Sequence, residues 1–123
     1  MNSRAVLLAT ILGTVLQIAM VLAGHSNPSV AKLFAVGGMG FSLIAGVAVA
    51  LFSRQSTSSV ASLAAGGAIA GGVCAIIGIL VSYILGDVPA TLLALGTLSS
   101  VITGAIGGWL GKFFVRGAAA SAA

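Results

Sequence analysis

Residues 60–85 read VASLAAGGAIAGGVCAIIGILVSYIL, and the uncharged run around them extends over the 32 residues between Arg54 and Asp87. A helix rises about 1.5 Å per residue, so roughly 20 apolar residues cross a hydrocarbon core about 30 Å thick. The stretch is long enough to span a membrane. Its apolar character is continuous, whereas a strand of a membrane barrel alternates apolar and polar residues over about ten positions. A helix also satisfies its own backbone hydrogen bonds, which lipid cannot do.

The same spacing recurs on both sides. Arg4 and His25 are separated by 20 uncharged residues, Lys32 and Arg54 by 21, and Asp87 and Lys112 by 24. These intervals predict an all-α polytopic membrane protein, a single domain over residues 1–123, with spanning helices at 5–23, 30–52, 60–85 and 89–111 and a short C-terminal tail at 112–123. Composition agrees. Only 5% of the 123 residues are charged and 59% are hydrophobic, with mean hydropathy +1.26. A soluble domain carries about 25% charged residues, so an ordinary soluble globular protein is excluded. Four crossings leave loops too short for a separate folded domain, and function must reside in the bilayer or in those loops.

The punctuation fits these bounds. Ser26-Asn27-Pro28 supplies a capping side chain and a proline suited to a first helical turn, and Asp87-Val88-Pro89 repeats the device. Gln55-Ser56-Thr57-Ser58-Ser59 forms the polar link before the third span. A competing reading takes Arg4 and the following apolar run as a secretory signal cleaved after Ala23; the run exceeds the 7 to 15 residues of a usual signal core, which favours an anchored helix.

With four crossings, Arg4, Arg54, Lys112 and Arg116 share one side and Lys32 lies opposite. Basic residues accumulate on the cytoplasmic side, so both termini are expected to be cytoplasmic. Phe52, Trp109, Phe113 and Phe114 fall near that boundary, and Phe34 and Tyr83 near the other, as interface-seeking rings should; Phe41 lies near mid-membrane. The few basic residues suit anionic headgroups and form no stripe for nucleic acid. The expected partners are the lipid bilayer and copies of the chain or a larger membrane complex.

Small residues supply the strongest pattern. Gly38, Ser42, Gly46 and Ala50 recur every four positions in the second span, and Gly96, Ser100, Gly104 and Gly108 do so in the fourth. Gly67, Gly71 and Ala75 form a stripe in the third, beside a second one at Ala64, Ala68 and Gly72. Residues four apart share a helix face, and small-xxx-small faces let helices approach closely in lipid. These are the candidate helix-packing residues, and Val49 and Leu110 fall outside the rows. Shifting the chain by 62 positions aligns Gly24 with Gly86, Gly46 with Gly108 and Arg54 with Arg116, which is compatible with two related helical hairpins.

Gly37-Gly38-Met39-Gly40-Phe41-Ser42-Leu43-Ile44-Ala45-Gly46, followed by Arg54-Gln55, resembles the glycine-rich hairpin of rotary ATPase ring subunits. That family carries an ion-binding carboxylate in its next helix; residues 60–85 hold neither Asp nor Glu, so its function does not transfer. A four-helix multidrug-exporter resemblance fails likewise, because it implies a membrane-embedded Glu and this chain has none. The whole chain, with Gly104-Ala105-Ile106-Gly107-Gly108 near its end, resembles small bacterial and archaeal glycine-rich four-helix membrane proteins of unknown function. The resemblance implies a bacterial or archaeal cytoplasmic membrane and no particular chemistry.

Polar residues within the spans are few. Thr10, Gly13, Thr14 and Gln17 share one face of the first span, and Gln17 suits an interhelical hydrogen bond worth about 1 kcal/mol, with Ser99, Ser100 and Thr103 as candidate partners. Ser and Thr can equally bond their own helix backbone. Cys74 stands alone and suits packing rather than a disulfide or a thiolate metal site. His25, Ser26, Ser29, Lys32 and Asp87 fall at one end; nothing nearby forms a strained nucleophile turn, and Lys32 and Asp87 can pair. No catalytic, cofactor or metal residues are expected. Charges avoid the spans, which disfavours an ion-coupled pump. Two functions remain: a non-enzymatic structural or accessory subunit associating through glycine-zipper packing, or an oligomeric passive pore, holin-like permeability factor or small transporter.

Overall fold

Three of the helices begin where a short polar side chain stands in for a missing backbone partner. Asn2 accepts from the Ala5 amide at 3.1 Å and opens α1 (Ser3–Ser26). Asn27 accepts from the Ser29 amide at 3.0 Å and opens the four-residue α2 (Pro28–Ala31), with Pro28 in its first turn. After Lys32 and Leu33, α3 runs over Phe34–Ser53. Ser59 accepts from the Ser62 amide at 3.0 Å and opens α4 (Val60–Ile84). The last helix is α5 (Thr91–Ala122). This computed structural model describes the backbone of residues 2–53 and 59–122, and their side chains except those of 35 and 115–122. Arg54 to Ser58 and the Arg116 side chain, used above in assigning sides, lie outside that description.

The end of α4 is set by Gly86, whose φ of +81° lies in the left-handed region. Its amide donates to the Tyr83 carbonyl at 3.0 Å and the Asp87 amide to the Ser82 carbonyl at 3.0 Å. These paired bonds absorb the last free carbonyls of the helix, a closure that favours glycine because it has no Cβ.

Among the described residues, four helices are long and apolar enough to cross a membrane: α1, α3 over Val36–Ser53, α4, and α5 over Thr91–Phe114. The chain is an all-α bundle of four spanning helices. One expected span needs correction. The second span does not run unbroken from 30 to 52, because the Lys32–Leu33 turn separates α2 from α3. The fourth span begins at Thr91, within a few residues of the expected start, and its helix continues through the tail to Ala122; the tail's alanine-rich sequence has high helix propensity.

Within the bundle, α3 and α4 touch, α1 packs against both from one side, and α5 packs against both from the other. Thus α1 and α5 occupy opposite corners. The interior is built of small side chains: Ala9, Ala45, Ala48, Ala50 and Ala70 are buried, and the largest fully buried side chain is Val49. Bulky residues such as Leu7, Ile11, Val15, Leu98, Ile102 and Phe113 face outward. Lipid solvates these as well as a protein core does, so packing in the bundle relies on close contact and not on expelling water.

Candidate functional site

Glycine backbones meet midway along the bundle. A Cβ placed on Gly46 of α3 or on Gly67 of α4 would overlap the Gly104 carbonyl oxygen of α5, and one on Gly104 would overlap the Gly67 carbonyl. On Gly71 a Cβ would lie 2.7 Å from the Ser100 carbonyl oxygen and 2.9 Å from Gly104 Cα. Further along, Gly108 abuts the Leu63 carbonyl, Gly107 the Leu43 carbonyl, and Gly111 the Ala50 side chain. Hydrogen is the only side chain that allows these approaches. Ser42, Ala50 and Ser100 are buried beside them.

Gly38 and Gly96, placed by the sequence pattern in the same rows, are not at a backbone contact. A Cβ on Gly38 would meet only Gln17 Oε1, at an ordinary 3.6 Å, and one on Gly96 the flexible end of Ile79 at 2.6 Å. The reason is geometric. Steps of four residues advance by about 40° beyond a full turn of a helix with 3.6 residues per turn, so Gly38 is rotated by about 80° from Gly46.

The intramembrane amide ties three helices together. Gln17, 3% exposed, donates through Nε2 to the Gly38 carbonyl at 3.0 Å and reaches Ser42 Oγ at 3.5 Å. Ser42 Oγ in turn donates to the Gly71 carbonyl at 3.3 Å. The expected partners on α5 are thereby corrected, since α1 and α5 lie at opposite corners. Ser99 Oγ donates instead to the Leu95 carbonyl, and Thr103 Oγ1 to those of Ser99 and Ser100. Thr10 Oγ1 donates to the Val6 carbonyl at 2.7 Å, whereas Thr14 Oγ1 is buried without a partner among the described residues. Cys74 packs against Gly13, where a Cβ would stand 2.9 Å from its Sγ.

Next to the amide the helices leave a cavity of about 160 Å³. Gln17 of α1, Gly38 and Met39 of α3, Gly78 and Ser82 of α4, and Ser100 of α5 contribute to its wall. Ser82 is 2% exposed and its Oγ has no hydrogen-bond partner among the described residues. Sequence reading did not single out Ser82; the only signal was a small hydroxyl beside Tyr83 in an otherwise apolar stretch over residues 75–85.

At the same end, His25 Nδ1 stands 2.9 Å from Asp87 Oδ2 and 3.1 Å from Oδ1, joining the last turn of α1 to the α4–α5 connection. Asp87 pairs with His25, not with Lys32. No serine hydroxyl is bonded to this pair among the described residues, and these residues contain no cluster of three or more His, Cys, Asp or Glu able to hold a metal ion. Fold and site together define a four-span helical membrane protein with small-residue helix contacts. Compared with protein-family models, curated proteins and solved structures, the chain matches none.

Proposed function

We propose that the chain is a non-enzymatic structural or accessory subunit of a bacterial or archaeal cytoplasmic membrane, with both termini cytoplasmic and with a glycine zipper that builds the subunit itself. The observation that carries this reading is the mutual approach of Gly46, Gly67 and Gly104. Those faces are occupied within one chain, so a partner or second copy binds the bulky lipid-facing sides of the helices and not the zipper. The same contact leaves no path between α3, α4 and α5 of a single chain at that level, so the oligomeric passive-pore or holin-like alternative requires a path between copies. Purification in mild detergent tests the subunit role: a stoichiometric membrane partner supports it, and a protein recovered alone from every mild detergent counts against it. Proteoliposomes containing the chain should be silent in solute-flux assays, and sustained flux would favour the pore.

A further inference from the structure

The cavity beside Gln17 has the size, wall and unmet hydrogen-bonding capacity of a ligand site. Its volume of about 160 Å³ is near the ~150 Å³ at which an apolar protein cavity admits benzene. Of the residues on its wall, Leu95 is the most exposed, at 64%, followed by Met39 at 37%, and the rest are buried or half-buried. Its mouth therefore lies between α3 and α5, on a side of the bundle that faces lipid. None of the wall residues carries a charge, which excludes an ionic guest on desolvation grounds. Met20, Ile79 and Leu92 supply apolar wall, while Gln17, Ser82 and Ser100 supply the polar groups.

Three features distinguish this space from a packing defect. Ser82 Oγ is buried with no partner among the described residues, although a serine in a helix ordinarily bonds a carbonyl one turn back, as Ser53 does to Val49 at 2.6 Å. A buried hydroxyl left unpaired is costly, and a guest that bonds it recovers that cost. Gln17 gives its Nε2 hydrogens to Gly38 and Ser42, leaving Oε1 as an acceptor. Gly38, moreover, is not glycine for reasons of packing, since a Cβ there fits at ordinary contact distance; its missing side chain leaves the space open.

We infer that this cavity binds a small, neutral, lipid-soluble molecule of about the size of one aromatic ring that carries a hydroxyl group, taken up from the bilayer between α3 and α5. The hydroxyl exchanges a hydrogen bond with Ser82 Oγ, and the ring lies against Met20, Ile79 and Leu92. This site is independent of the subunit role, which the flux and copurification experiments address separately.

Titration of 4-fluorophenol and of fluorobenzene into the detergent-solubilised protein, followed by fluorine NMR, tests the assignment. Saturable, protein-dependent binding of fluorophenol is expected, about three- to tenfold tighter than that of fluorobenzene, the range one net hydrogen bond provides. Gly38→Leu fills the space and should abolish binding with melting unchanged or raised; Gly40→Leu, where a Cβ meets nothing within 4 Å, should bind as the wild type does. Should Gly38→Leu fail to fold, Ser82→Ala serves instead, and its preference for fluorophenol should fall. Absence of saturable binding, equal affinity for the two probes, or an unchanged preference in Ser82→Ala overturns the proposal.

Discussion

Gln17 and Thr10 look alike in the sequence, two polar side chains on one face of an apolar helix, yet they do different work. Thr10 closes on its own helix at the Val6 carbonyl, whereas Gln17 reaches across to Gly38 and Ser42. Gln17→Leu should therefore lower the stability of the solubilised protein by about 1 kcal/mol, while Thr10→Val leaves it near the wild-type value. Melting in one detergent compares the two, and equal losses would show that Gln17 too is satisfied locally. That Gln17 would bond across helices was legible, because an amide cannot return to the preceding turn as a hydroxyl does. Its partner was not legible: which helices are neighbours is decided by packing that no local sequence encodes. Val49 teaches the same lesson, lying outside the four-residue row and yet being 1% exposed in the core.

Element boundaries followed from charge and capping chemistry. The spans were readable because six charged residues in 123 leave few places for a helix to surface. The turn at Lys32 and Leu33 was missed, since the residues between Pro28 and Phe34 contain no glycine or second proline to mark a break. The sequence reading bounded the last span at the charge of Lys112 and left the structure of the tail beyond it unassigned, whereas the helix continues through Ala122. Gly86 is the clearest terminator, at φ +81°. Gly86→Ala should destabilise the protein by about 1–2 kcal/mol through the left-handed backbone alone, as there is open space around its Cβ position. A melting temperature equal to that of the wild type would mean that α4 can end differently. The His25–Asp87 contact, with side chains 48% and 22% exposed, should matter less: Asp87→Asn is expected to cost at most about 1 kcal/mol, and Lys32→Ala nothing measurable by the same assay.

For the molecule as a whole, small residues inside and bulky ones outside place it in lipid, and the distribution of basic residues is the ground for the proposed orientation. Asn27 is expected to be external and Ser56 cytoplasmic. In a background lacking Cys74, an impermeant thiol reagent added to intact cells should label Asn27→Cys and spare Ser56→Cys; the opposite pattern reverses the orientation. The central claim is that the small-residue faces are used within one chain, where Gly46 meets Gly104 and Gly108 meets Leu63. Its most direct test is thermal melting combined with particle mass in detergent for Gly46→Leu and Gly108→Leu, with Gly40→Leu as the reference. Overpacking of a closed contact costs about 1–3 kcal/mol or more, so both variants should insert, melt at lower temperature and keep the wild-type mass, while Gly40→Leu behaves as wild type. Wild-type melting in both, or a drop in particle mass with melting unchanged, would contradict the account.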